Sequence, residues 1–239
     1  MQERFQSSTS RRAFARTVAA ASAFYTVPGL FAEQLALTPT VTEGPYYPDE
    51  MPLDTDNDLL IINDAATPSL GQVAHVTGRV MTTTGEPVRN ATVEIWQVDA
   101  NGVYIHSAAP GKDRRDSNFQ GFGRFETGSS GEYRFRTIKP VPYSIGVGRV
   151  PHIHYAVNLG GRRVLTTQLF LKGHDGNETD RVIRQAARSG EPSSLFVDFD
   201  PVPGSKIGEV ATVFDLVINP DAGPDSRRGF GRGRFSRRG

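Results

Sequence analysis

The chain has 239 residues, of which 37% are hydrophobic and 22% are charged, and it contains no cysteine. This composition fits a globular protein of one or two domains, and one long β domain is common at this length. The lack of cysteine excludes disulfide-stapled scaffolds and metal sites built from thiolates, and a formal net charge of only +1 excludes a chain that is basic throughout.

Residues 1–32 have the pattern of an export signal. Ser10-Arg11-Arg12-Ala13-Phe14 precedes an alanine-rich, uncharged stretch over residues 17–32, which is too short and too mild to span a membrane. The arginine pair resembles a twin-arginine signal, which implies the twin-arginine export machinery as a partner and a periplasmic or extracellular location. The alternative is a basic amphipathic helix of the folded domain, but apolar residues occupy all faces of the stretch.

Apolar runs separated by turn signals predict an all-β fold, a β-sandwich over residues 72–220 that follows an N-terminal arm over residues 33–71. The predicted strands are Gln72–Val80, Thr92–Val98, Tyr133–Arg136, Ile153–Leu159, Val164–Leu171, Leu195–Phe199 and Val210–Ile218. One short helix is predicted over Thr179–Ala187, capped by Thr179 or Asp180.

The C-terminal tail differs from the rest of the chain. Residues 226–239 hold six arginines and no acidic residue, so the remaining 21 basic residues face 26 acidic ones. The tail over residues 221–239 is therefore predicted to be disordered. Arg/Gly segments with interleaved aromatic residues bind single-stranded nucleic acid in other proteins. An acidic body and an export signal do not fit that role, so no nucleic-acid partner is expected.

His152 and His154 lie two residues apart in an apolar, β-branched run. Successive side chains of a strand point to opposite faces, so the two imidazoles share one face while Ile153 lines the other. Two imidazoles on one face can hold a cation, although such a pair also occurs in ordinary half-buried strands. Tyr104 and Tyr143 lie in loops and at strand ends, where scaffolds often mount chemistry. Either tyrosine alone is better explained as an aromatic at the sandwich edge with its hydroxyl group in water.

The order Tyr, Tyr, Arg-x-x-His-x-His resembles the intradiol ring-cleavage dioxygenases, such as protocatechuate 3,4-dioxygenase and catechol 1,2-dioxygenase. These non-haem iron(III) enzymes open catechols between their hydroxyl groups. The segments Thr42–Pro48, Val93–Ala100, Asp116–Arg124 and Gly131–Pro140 resemble further motifs of the family. The resemblance covers the chain from about Thr42 to about Asn219 and implies the family's β-sandwich core.

Carried over residue by residue, the resemblance implies four ligands of Fe(III): Tyr104, Tyr143, His152 and His154. Two phenolates and two imidazoles form a hard, anionic donor set that suits a ferric ion. Arg149 would lie beside the substrate and stabilise developing charge, and Gln168 would form part of the active-site wall. The implied reaction uses O2 to convert a catechol into a cis,cis-muconate-type diacid, with Tyr143 or Tyr104 displaced by the substrate as an internal base.

Two departures from the family leave the substrate and the assembly open. The segment between Tyr143 and His152 is short, and the sequence shows no long helical N-terminal domain of the kind that catechol dioxygenases use to dimerise. A homodimer is expected only as the commonest assembly. A second function class is a metal-free, transthyretin-like β-sandwich binding module, which would explain the strand-turn-strand pattern between Gly78 and Val93. It would not explain the paired histidines with two placed tyrosines.

Overall fold

The structure is a computed structural model that describes residues 34–62, 67–145, 147–189 and 192–222. These ranges contain twelve strands and one α-helix. The strands are β1 Val73–Thr82, β2 Ala91–Trp96, β3 Phe122–Glu126, β4 Glu132–Ile138, β5 Tyr143–Ile145, β6 Val147–Arg149, β7 His152–Leu159, β8 Arg162–Leu171, β9 Phe196–Val197, β10 Asp200–Pro201, β11 Val210–Val213 and β12 Leu216–Ile218. Helix α1 covers Arg181–Ser189, and short 3-10 turns cover Lys112–Arg114 and Ser193–Leu195.

The strands form two five-stranded sheets and one hairpin. In the first sheet, β1 pairs antiparallel with β4 and parallel with β11 and β12, and β10 extends the β11 edge. The second sheet has the order β3-β2-β7-β8-β9 and is antiparallel except between β8 and β9. The hairpin of β5 and β6 leads directly into β7.

One hydrophobic core lies between the two sheets. Val76 and Phe135 of the first sheet and Ile153 of the second belong to the same buried cluster. Tyr133 of β4 meets Tyr155 of β7 with 6.1 Å between ring centroids, and such aromatic pairs contribute about 0.5–1.5 kcal/mol beyond their buried area. The predicted β-sandwich fold is confirmed.

Each predicted strand has an observed counterpart, but the predicted run Val210–Ile218 is two strands. The ladder to β1 is interrupted where the Asp215 side chain, instead of a backbone carbonyl, accepts the Arg79 N–H at 2.8 Å. Strand β3 was not predicted, because Gly123 interrupts its apolar pattern. A Cβ on Gly123 would lie only 2.8 Å from the Asp56 carbonyl oxygen, so this strand needs glycine where the arm crosses it.

Helix α1 begins two residues later than predicted, because Asp180 is its N-cap. Asp180 Oδ1 accepts hydrogen bonds from the backbone N–H groups of Val182, at 2.8 Å, and Ile183, at 3.2 Å. These bonds satisfy donors that the first turn of a helix leaves free. No helix in the described ranges is long and apolar enough to cross a bilayer.

The N-terminal arm is bonded to both sheets. The backbone N–H of Thr38 donates to the Val217 carbonyl at 2.9 Å, and that of Val41 donates to the Thr166 carbonyl at 3.0 Å. These bonds lead the Thr42–Pro48 segment across the end of the second sheet. The predicted export signal, residues 1–32, and residues 223–239 of the predicted disordered tail lie outside the described residues.

Candidate active site

Four side-chain donor atoms converge at one end of the second sheet: Tyr104 Oη, Tyr143 Oη, His152 Nε2 and His154 Nε2. The Tyr104 oxygen lies 2.8 Å from the His154 nitrogen, 3.2 Å from the His152 nitrogen and 3.3 Å from the Tyr143 oxygen. The two histidine nitrogens are 3.1 Å apart. The structure thus brings together all four residues that the sequence suggested as ligands, which we call the ligand cluster.

Strand β7 presents both histidines to this cluster because its side chains alternate. His152 and His154 point out of the core, and Ile153 between them is buried in the core. Across the sheet, Trp96 of β2 is paired with His154. The Trp96 ring lies flat on the His154 imidazole, with 4.7 Å between centroids and 10° between planes.

A tight turn brings Tyr104 to the histidines. Asp99 Oδ1 accepts the backbone N–H groups of Asn101 and Val103, each at 2.9 Å. Gly102 between them has a φ of 77°, which favours glycine. A Cβ on Gly102 would lie 3.2 Å from Tyr143 Cβ, so the turn also sets the distance between the two tyrosines.

The backbone sets the tautomer of His152. Its Nδ1 lies 2.6 Å from the Val150 carbonyl oxygen, and a carbonyl can only accept a hydrogen bond. Nδ1 therefore carries the proton, and Nε2 presents a lone pair to the ligand cluster. Histidines that bind metals commonly have their second nitrogen held in this way.

Burial by itself favours the neutral forms of the side chains in the ligand cluster. It raises the pKa of Tyr104 well above the usual value, and the neighbouring Tyr143 adds to that rise. Burial, together with the charge of Arg149, lowers the pKa of His152 to about 3. Burial and the neighbouring His152 also lower the pKa of His154 well below its usual value. Neutral imidazoles are the form that binds a metal, and a cation at this point would favour ionised tyrosines.

The spacing of the four donors fits a metal ion. Ligands about 2 Å from one ion, at angles between tetrahedral and right angles, lie about 2.8–3.3 Å from one another. The measured separations fall in this range, and the set of two oxygens and two nitrogens is hard enough for a trivalent ion. Across the described ranges, His, Cys, Asp and Glu alone form no group of three or more that could hold a metal. The two tyrosines must therefore complete any site here.

Arg149 and Gln168 lie beside the ligand cluster and are bonded to each other. Arg149 Nη2 donates to Gln168 Oε1 at 2.8 Å, and Gln168 Nε2 donates to the Thr42 carbonyl at 2.9 Å. Arg149 is also paired with Tyr143 across the β5–β6 hairpin. Burial raises the pKa of Tyr143, while its bond with Tyr104 and the charge of Arg149 oppose that rise.

Two aromatic residues at the site had no assigned role in the sequence interpretation. They are Trp96, described above, and Tyr46, which stacks on Tyr104 with 5.1 Å between ring centroids and 22° between planes. Pairing the predicted strand Thr92–Val98 with Ile153–Leu159 would have brought Trp96 beside His154. No local sequence pattern predicts the contact of Tyr46 with Tyr104, because this contact depends on how the arm crosses the sheet.

A cleft of about 410 Å³ opens beside Tyr104. Its lining includes Ile105 and Ser107, the acidic residues Asp49 and Glu50, and the basic residues Lys112 and Arg115. A second cleft of the same volume lies against the first sheet and includes none of the predicted site residues. Of these two clefts, the one beside Tyr104 borders the ligand cluster.

Comparison with known proteins identifies the family. The model of the Dioxygenase family matches residues 42–220. Hydroxyquinol 1,2-dioxygenase of Corynebacterium glutamicum is 31% identical over 205 residues, which cover 75% of this chain and 62% of that protein. The chain belongs to the intradiol dioxygenase family. The protocatechuate 3,4-dioxygenase beta chain of Burkholderia cepacia is 43% identical over 110 residues, covering 44% of this chain and 46% of that one.

The chain matches only 46% and 62% of the length of these two curated relatives. A solved structure with the same fold is the intradiol ring-cleavage dioxygenase from Tetranychus urticae, with a TM-score of 0.59. That protein is 23% identical, and the match covers 80% of this chain and 98% of that one. Membership of this family does not favour the alternative of a transthyretin-like binding module.

Proposed function

We propose that this protein is a non-haem iron(III)-dependent intradiol dioxygenase. It would cleave a catechol-type ring between the two hydroxyl-bearing carbons with O2 and release a cis,cis-muconate-type diacid. The observation that carries this proposal is the convergence of two tyrosine oxygens and two histidine nitrogens. The other three atoms lie within 3.3 Å of Tyr104 Oη, and the two histidine nitrogens are 3.1 Å apart. Family membership supports the same reaction class.

Tyr104, Tyr143, His152 and His154 would hold the iron. When bound, iron(III) supplies a positive field that ionises coordinated hydroxyl groups and makes a bound catecholate reactive towards O2. The burial of the histidines keeps them neutral and therefore available as ligands. The stacked Trp96 ring restricts the orientation of the His154 imidazole.

Tyr143 is the better candidate for the tyrosine that exchanges with the substrate. It is half-buried, whereas Tyr104 is only 2% exposed and contacts both histidines. In this proposal Tyr143, ionised as a ligand, would take up a proton from a catechol hydroxyl as the substrate binds, and Tyr104 would stay in place. A general base acts on a proton that lies within hydrogen-bonding distance of it.

Arg149 would bind and stabilise negative charge that develops on the substrate. Its guanidinium is always cationic and lies beside Tyr143, with a side chain only 14% exposed. A charge so shielded from water acts more strongly than one in solution. Gln168 would hold Arg149 and connect it to the arm through Thr42.

The first test is visible absorption with metal analysis of the purified protein. Charge transfer from tyrosinate to iron(III) should colour the protein, and catechol added without oxygen should shift the band. Oxygen uptake is then measured with catechol, hydroxyquinol, protocatechuate and chlorocatechol. A colourless protein that stays metal-free after iron reconstitution would refute the proposal. In that case the transthyretin-like binding module would be the better account.

We further propose that the protein is exported through the twin-arginine route to the periplasm or the outside of the cell. The support is the Ser10–Phe14 motif and the uncharged stretch after it. The double variant Arg11→Lys, Arg12→Lys should keep the protein in the cytoplasm, with Arg16→Lys as the matched control. Equal export of both variants would contradict the proposal. A homodimer remains a prediction that light scattering can test.

A further inference from the structure

Asp180 is a buried carboxylate that touches the active-site arginine and has no part in the reaction described above. Its side chain is 0% exposed. Oδ2 accepts Arg149 Nε–H at 2.8 Å and the Val150 backbone N–H at 3.4 Å. Oδ1 accepts the two backbone N–H groups that begin helix α1. One side chain therefore serves both the arginine and the helix.

We propose that Asp180 is a positioning residue for ring cleavage. It holds the guanidinium of Arg149 in the orientation that faces the substrate, and it makes that orientation depend on helix α1. This inference rests on the proposed function. It concerns a residue that acts through Arg149 and does not itself touch the substrate.

The geometry fixes the plane of the guanidinium. Arginine is planar and carries five N–H donors. Two points of the group are held, because Nε donates to Asp180 and Nη2 donates to Gln168. Nη1 takes part in neither bond, so it is the end of the group that can meet negative charge on a substrate. Without these two bonds the long side chain would sample several rotamers, and the charge would be displaced from the reacting atoms.

The two bonds are not equivalent. Asp180 supplies a full negative charge, and charge-assisted hydrogen bonds are stronger than neutral ones. Gln168 is a neutral acceptor whose own amide is tied to Thr42. Within the described ranges, Asp180 is the only carboxylate that forms an ion pair with Arg149. We therefore expect Asp180 to contribute more than Gln168 to holding the guanidinium.

A purely structural role as a helix cap can be separated from the positioning role. Asparagine caps helices about as well as aspartate does. In Asp180→Asn, the Oδ1 atom can still accept the N–H groups of Val182 and Ile183. Its Nδ2 would face Arg149 Nε–H, donor against donor. The substitution therefore keeps the cap and removes the bond to the arginine, together with the longer bond from the Val150 N–H.

The experiment is a double-mutant cycle between positions 149 and 180 in the iron-loaded full chain. The variants are Arg149→Gln, Asp180→Asn and the double variant. Ala187→Gly is the control, because it weakens α1 at an exposed position. We expect Asp180→Asn to keep the iron content and the visible band, although loss of the buried ion pair lowers its thermal midpoint. Its kcat/KM should fall about 10–100-fold, as for other outer-shell contacts.

The decisive comparison is the double variant. If Asp180 acts through Arg149, the double variant should be no slower than Arg149→Gln alone. If kcat/KM of Asp180→Asn equals that of the wild type, Asp180 is a helix cap only. If the two losses multiply in the double variant, Asp180 acts independently of Arg149. In either case the inference fails alone. A wild-type protein that holds iron but cleaves no catechol overturns the proposed function, and the inference falls with it.

Discussion

Two polar clusters of this molecule satisfy their polar groups in different ways. The side chains of the ligand cluster are neutral by burial alone, and their four donor atoms converge on one point. The charged cluster consists of Glu43, Glu94, Arg124 and Arg163. Glu94 accepts Arg124 Nη2 at 2.8 Å and Arg163 Nη2 at 3.1 Å, and Arg163 Nη1 donates to Glu43 at 2.9 Å.

The two clusters are joined by aromatic residues. The Tyr47 hydroxyl donates to Glu94 at 3.1 Å, and the Tyr47 ring meets the edge of Trp96 with 5.0 Å between centroids. The Trp96 ring also stacks on the His154 imidazole. In the charged cluster, two carboxylates are paired with two guanidinium groups, so its charges cancel. The pair between Glu43 and Arg163 also holds the arm against the second sheet. The ligand cluster gathers four donor atoms that one cation could bind at the same time, so binding chemistry is expected there.

The largest expected effect comes from removing one ligand. His154→Ala should lose iron almost completely, by more than the about 10–100-fold that follows loss of an outer-shell contact. Metal analysis after iron reconstitution measures this, and Tyr104→Phe should behave in the same way. His106→Ala is the control, since His106 faces Tyr46 and Asp49 outside the cluster. Full iron content in His154→Ala would contradict the ligand assignment.

Removing iron should destabilise the wild type, because a ligand that binds only the folded state stabilises it. At free iron about 1,000-fold above Kd the effect is about 4 kcal/mol. Chelation should therefore lower the thermal midpoint of the wild type and leave that of His154→Ala unchanged. An equal shift in both proteins would mean that iron binds elsewhere.

The charged cluster should affect stability and leave metal binding intact. Glu94→Gln leaves Arg124 and Arg163 without their shared acid, and Glu94 and Arg163 are each only 5% exposed. Breaking a buried ion pair of this kind costs about 3 kcal/mol or more. Urea unfolding should show this loss with and without iron. If the loss disappears in the iron-free protein, the two clusters are not independent.

The smallest effect is expected at an exposed ion pair. Arg79 and Glu132 are bonded at 2.8 Å, but their side chains are 57% and 58% exposed. Arg79→Ala should change the free energy of unfolding by less than about 1 kcal/mol. The same urea experiment checks this, and a loss as large as that of Glu94→Gln would show that burial does not explain the difference.

The sequence predicted the features that depend on local pattern. The alternation along β7 was enough to put His152 and His154 on one face, and a polar residue before an amphipathic run was enough to suggest Asp180 as a cap. Contacts between distant segments were not predictable. The bond from Arg149 to Asp180 spans 31 residues and depends on where α1 docks. The crossing of the arm over Gly123 depends equally on long-range packing.

The β5–β6 hairpin has a consequence for how this site can diversify. Tyr143 and Arg149 face each other across strands of only three residues each. Inserting one residue into either strand would turn the following side chains to the opposite face. Single-residue insertions within these two strands are therefore incompatible with the site. The segment from about Ile105 to Arg115 lines the cleft and contains no β-strand. Changes in this segment are therefore an easier way to alter the substrate range.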